Sequence, residues 1–133
     1  MYTKHIITSD ESGKRIEYTI ETKYNYVYLL NSPIITGPGI YKYTEISAEE
    51  ARDILHQHIG CWESAIGHAV TAQLLYYLLD ADVTVNRIEV ILQPGDAAIV
   101  LRLMQRLPEG MVITDKEQLT GIGYQLGLLT RIQ

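Results

Sequence analysis

Cysteine is almost missing from this 133-residue chain. Cys61 is the sole one, so no internal disulfide can form and nothing points to an oxidising compartment. No apolar run reaches the ~18 residues that a membrane-spanning helix needs. The stretch from Met1 to Glu11 lacks the apolar centre of a signal peptide, so a cytoplasmic location and no membrane partner are expected. Basic charge is scarce as well: 11 Lys and Arg stand against 16 Asp and Glu, a net −5. A duplex nucleic-acid partner requires a basic face, which this balance argues against. A small phosphorylated ligand held by a few arginines is not excluded. Phosphate-loop and dinucleotide fingerprints are lacking, since Ser12-Gly13-Lys14 has no upstream glycine. No paired acidic motif suggests a two-metal nuclease. His56, His58 and Cys61 lie close together, but their spacing matches no common zinc pattern and a fourth ligand is lacking. No metal or other cofactor is therefore expected.

What is present is an ordinary globular composition, 47% hydrophobic and 20% charged, in a length that fits one domain able to bury a core without staples. Aromatics are lopsided, with ten Tyr, one Trp and no Phe. Residues 4–21 alternate loosely as two strands around Asp10-Glu11-Ser12-Gly13, which predicts an N-terminal hairpin. Tyr-rich residues 24–30 read as the first core strand, ending in Asn31-Ser32-Pro33, and another short strand is expected at 40–45. Ser47 and Glu50 form a capping box that opens a helix from Ala48 to about His56. A second, mostly apolar helix is expected over roughly 62–79. Residues 83–92 and 97–104 read as a hairpin around Gln93-Pro94-Gly95-Asp96, with Pro and Gly where a type II turn wants them. Thr114 and Glu117 predict a further capped helix to about Tyr124, with Leu119, Ile122 and Leu126 on its buried side, and 127–132 a last short strand. The fold class is then α+β: a mixed sheet flanked by helices, in one domain over 24–133 with residues 1–23 as an extension.

The segment 62–75 carries the most chemistry. On a helix, Ser64, His68 and Thr71 would share one face. Gly67 costs about 1 kcal/mol there relative to Ala, and it would admit another backbone or a ligand. Two readings stand: a polar stripe lining a cavity, or a tight helix contact with a satisfied core histidine. Asn31 and Ser32 stand where a core strand ends, a common place for ligand contacts, although Asn before Ser-Pro also makes turns. Arg87 interrupts an apolar alternation, as a ligand contact or as part of a solvated face with Glu89. Arg106 and Glu109 in Arg106-Leu107-Pro108-Glu109-Gly110 suit a phosphate and a sugar hydroxyl, or a loop ion pair of little worth.

Taken in order, Asn31-Ser32-Pro33, Ser64-Ala65-Ile66-Gly67-His68, Asn86-Arg87 and Arg106-Leu107-Pro108-Glu109-Gly110 resemble the viral type III anti-CRISPR ring nucleases and their bacterial and phage relatives. The resemblance spans roughly residues 24–130. It implies a homodimer with a ligand cleft on the two-fold axis, and cyclic tetra-adenylate, the messenger of type III CRISPR defence, as ligand. It places the catalytic histidine on His68, ligand contacts on Asn31, Arg87 and Arg106, and the loop glutamate, the second catalytic residue expected as base or to orient a ribose hydroxyl, on Glu109. Ser32, Ser64, Gly67, Thr71 and Arg102 complete the expected substrate-binding set. Val70 stands where some members carry a hydroxyl residue, and Arg102 where some carry a neutral polar one.

The chemistry implied needs no metal. The 2′-hydroxyl of an RNA phosphodiester is its own nucleophile, so the protein aligns it, offsets charge on the phosphate and protonates the leaving 5′-oxygen. Imidazole suits that acid role because it titrates near neutrality. Linear di-adenylates ending in 2′,3′-cyclic phosphate are the expected products. The alternatives are a protein that sequesters cyclic oligoadenylate without efficient cutting, a small nucleic-acid-binding regulator, and a purely structural dimer.

Overall fold

The computed structural model describes residues 1–35, 37–108 and 110–133, the side chains of Lys116 and Thr120 excepted. Strands β1 (Tyr2–Ser9) and β2 (Arg15–Thr22) pair antiparallel, from Tyr2 opposite Thr22 to Ser9 opposite Arg15. Asp10 builds their turn. Its Oδ1 accepts from the Ser12 N–H at 2.9 Å, the Ser12 hydroxyl at 2.6 Å and the Lys14 N–H at 2.9 Å. Those bonds hold the exposed Asp10 carboxyl below its usual range, the Ser12 hydroxyl contributing most.

The hairpin docks through alternate residues of β1. Lys4 Nζ donates to Asn25 Oδ1 at 2.6 Å, and Asn25 passes a bond on to the buried Asp96 carboxylate at 3.2 Å. Ile6 packs on Gly60, and Tyr2 on Gly95. Gly95 has a φ of +93°, and a Cβ there would collide with the Tyr2 hydroxyl. Gly95→Ala should therefore strain the backbone by about 1–2 kcal/mol and push Tyr2 off its seat. A lowered Tm, with hairpin amides losing more exchange protection than the central sheet, is the expected readout.

The main sheet joins β3 (Val27–Leu30), β4 (Tyr41–Ile46), β5 (Trp62–Ser64), β6 (Ala97–Leu103) and β7 (Tyr124–Arg131) in the order β4-β7-β6-β3-β5. The β4–β7 and β7–β6 pairs are antiparallel; β6–β3 and β3–β5 are parallel. Helix α1 (Ala48–Gln57) starts at the expected capping box, Ser47 and Glu50 bonding reciprocally. It packs with α2 (Ala69–Leu79) over one sheet face, burying Ala51, Leu55, Leu74 and Leu75 against Val27, Leu29, Ile99 and Leu101. The opposite face buries Leu30, Ala98, Val100 and Leu129 beneath Leu92. Burial on both sides is why 97–101 reads as an unbroken apolar run. The α+β class with a mixed sheet is as the sequence predicts.

Three element expectations are corrected. Residues 62–68 are not helical: Trp62–Ser64 pairs in parallel with Val27–Leu29, and the helix begins only at Ala69. Ser64, His68 and Thr71 thus share no helical face. Residues 83–92 form no ladder with β6 and make one isolated bridge, Val85 with Ile66. The turn at 93–96 does form, with the Asp96 N–H on Gln93 O at 2.9 Å. Both edges of β6 are already taken by β3 and β7, so no edge remains for a hairpin partner. The predicted helix from Thr114 is a 3₁₀ turn, Lys116–Gly121, capped by Asp115 and Gln118. Tyr124 and Leu126 belong to β7.

Candidate functional site

Three parallel strands aim their carboxyl ends the same way, the usual place for a ligand crevice in open sheets. Asn31 and Ser32 follow β3, residues 65–68 follow β5, and residues 104–108 follow β6. His68 is the N-cap of α2, with extended backbone (φ −128°, ψ 133°), and its side chain makes no capping bond. The imidazole is exposed to solvent rather than packed in hydrocarbon.

A cavity of about 790 Å³ lies beside it, walled by the first turn of α2 (His68, Val70, Thr71) and by the loop after β6 (Met104, Arg106, Met111). The first-turn N–H groups of a helix have no intrahelical acceptor and carry the positive end of its dipole. With His68 leaving them uncapped and Arg106 across the cavity, the arrangement favours an anionic group such as phosphate. Gln73 holds the far end of the Arg106 loop, its Oε1 accepting the Ile113 N–H at 2.8 Å. Sequence reasoning missed that residue; its signal was a polar side chain inside the apolar run of α2.

A second cavity of about 400 Å³ lies on the other side of Gly67, lined by Leu30, Asn31, Ile34, Ala65, Arg87 and Glu89 among others. Arg87 Nε donates to Gly67 O at 3.0 Å. Among the described residues its terminal nitrogens carry no hydrogen bond, and Arg87 is one of the residues that line the cavity. A Cβ on Gly67 would meet Arg87 Cγ at 3.6 Å, ordinary contact, so close packing does not require glycine there.

Ser64 has a different task from the one expected. Its buried hydroxyl donates to Thr84 O at 2.6 Å and accepts the Ile66 N–H at 3.2 Å. Asn86 completes this brace: its Nδ2 donates to Ser64 O at 2.7 Å and its N–H to Ile66 O at 2.8 Å. The brace fixes residues 65–68, and hence His68, from the segment that carries Arg87. Asn86 was legible only as the neighbour of Arg87. Thr71 is buried and lines the first cavity. Ser32 and Arg102 line neither cavity; Arg102 is exposed on β6 with a long 3.5 Å contact to Gln125. Glu109 lies outside the described residues. The structure therefore brings His68, Thr71 and Arg106 to one cavity and Asn31, Gly67 and Arg87 to its neighbour.

Fold and cleft together define a single-domain α+β protein with a crevice at the carboxyl ends of its parallel strands. The chain belongs to the STIV B116-like family, whose profile matches residues 27–126. It is 38% identical over 110 residues to ORF117 of Acidianus two-tailed virus, covering 80% of this chain and 94% of that one. It is 36% identical over 106 residues to YddF of Bacillus subtilis, covering 80% and 97%. Among solved structures, B116 of Sulfolobus turreted icosahedral virus superposes with a TM-score of 0.66 at 26% identity, over 79% of this chain and 98% of that one. The family thus has viral members and a bacterial one. No helix among the described residues is long and apolar enough to cross a membrane.

Proposed function

We propose that the chain is a ring nuclease that opens cyclic tetra-adenylate, working as a homodimer and antagonising or resetting type III CRISPR signalling. The observation that carries this reading is the exposed His68 imidazole at the uncapped start of α2, sharing a cavity with Arg106. In the proposed reaction the ribose 2′-hydroxyl attacks the adjacent phosphorus, its proton passing to solvent, and the bond to the 5′-oxygen breaks. His68 protonates that leaving oxygen. The product ends in a 2′,3′-cyclic phosphate. The α2 N–H groups and Arg106 offset the charge that develops on the phosphoryl oxygens, and Arg87 with Asn31 holds the ring on the other side of Gly67. Exposed Ile34, Val85 and Ile88 at and beside the second cavity favour a second copy closing over the cleft. Two copies of His68 related by a two-fold would reach opposite phosphates of a four-membered ring.

The reading is tested by incubation with cyclic oligoadenylates of different sizes and mass spectrometry of the products. Di-adenylate with a 2′,3′-cyclic end is expected, at the same rate in EDTA. Turnover lost in chelator and restored by a divalent ion overturns the metal-independent mechanism.

One observation favours a second reading, a protein that sequesters the ring. Among the described residues no carboxylate lines the first cavity, so none of them supplies a general base for the 2′-hydroxyl there. Binding without turnover, at protein in excess of ligand, would establish that reading.

A further inference from the structure

The N-terminal hairpin lies outside the matched family region, and it docks at the amino ends of the parallel strands, through Gly60, Gly95 and Asn25, away from the cleft. It joins the sheet through residues 22–26. That hinge is held by a histidine with no part in the proposed chemistry. His58, the C-cap residue of α1, is completely buried. Its Nδ1 bonds Ile54 O at 2.6 Å, and a carbonyl only accepts, so Nδ1 carries the proton. Nε2 therefore presents a lone pair, and it accepts the Tyr24 N–H at 3.1 Å. The Tyr24 ring stacks on the imidazole at 5.7 Å.

We propose that His58 is a proton-sensitive latch: neutral, it ties the hairpin hinge to α1, and on taking a proton it lets the hairpin go. A proton on Nε2 would set N–H against N–H, removing the acceptor from Tyr24 and burying a charge. The groups around the ring do not offset that charge from within. Lys4 of β1 opposes it. Lys23 of the hinge and the exposed Glu50 and Asp53 of α1 line the small cleft beside the ring, with Ile46 of β4 and Leu128 of β7. Burial, with Lys4 adding to it, pushes the His58 pKa below its ordinary value, against the two backbone bonds. The folded state thus binds the proton less readily than the unfolded chain. Docking strength is full above the ordinary histidine pKa of about 6.5 and falls as pH drops through the lowered value. A two-stranded hairpin has little stability in water by itself, so release should expose its ladder.

The test is amide exchange across pH 7.5 to 5, corrected for intrinsic rates, with the His58 ring followed by NMR. Hairpin protection should fall by at least about tenfold relative to β6 amides, with the midpoint of the ring titration. His5, exposed on β1 beside Glu17 at 3.9 Å, is the histidine on the hairpin itself, so His5→Gln must keep the transition. His58→Gln, whose Oε1 can accept from Tyr24, should abolish it. Should that variant fail to fold, the shared midpoint in the unmodified chain decides alone. Hairpin protection that ignores the ring titration, or that falls only together with β6, overturns the latch.

Discussion

Replacing His68 with alanine should lower cleavage of cyclic tetra-adenylate by about 10²–10⁴-fold, the usual worth of a positioned general acid, while binding and stability persist. The side chain is exposed and makes no capping bond, so its removal leaves no cavity and no orphaned partner. Stability should change by no more than about 0.5 kcal/mol, as at an exposed site away from such features. Ligand affinity should hold, because Arg106 and the α2 N–H groups remain to grip phosphate. Single-turnover rates, calorimetric binding and thermal melts on one preparation separate the three quantities. Cleavage at the parental rate removes His68 from the mechanism. Loss of binding in step with cleavage makes it a ligand contact instead.

Ile99→Ala should destabilise the fold by about 2–5 kcal/mol, a large share of the roughly 5–15 kcal/mol that holds a domain together. Ile99 is fully buried on β6, level with Leu29 of β3 and Leu128 of β7, under the helices. Strands hem it in on both sides, so the cavity cannot collapse cheaply. Urea denaturation should show an earlier midpoint at unchanged slope. The strand also delivers the Arg106 loop to the cleft, so remaining cleavage should track the folded fraction. A shift below 1 kcal/mol would mean that the centre of this sheet repacks freely.

The residues of the candidate site could be named from the sequence before their place in the fold was known. His68, Arg106, Asn31 and Arg87 come together at two adjoining cavities, although the segment holding His68 was expected to be helical. Trp62, Ala65, Ile66, Ala69 and Val70 space themselves as a helix face does, and periodicity cannot tell such a run from a buried strand and its exit loop. Pairing with β3 decided it. The polar stripe inferred for Ser64, His68 and Thr71 dissolved with the helix: Ser64 braces a loop, His68 stands at the start of a helix without a side-chain capping bond, and Thr71 lies in its first turn. Gln73 and Asn86 work by holding backbone across long sequence separations, which no local pattern encodes.

The amino-acid order alone determined what is settled within a few residues: the Ser47–Glu50 box that starts α1, the Asp10 turn and the turn at 93–96. These depend on hydrogen bonds and backbone angles between near neighbours. Which strands lie side by side, that 83–92 covers a face instead of joining the sheet, and that His68 ends up exposed at the cavity that Arg106 also lines were decided only in three dimensions. Strand pairing joins groups far apart in the chain, and its energy comes from burial and from edges left free by other strands.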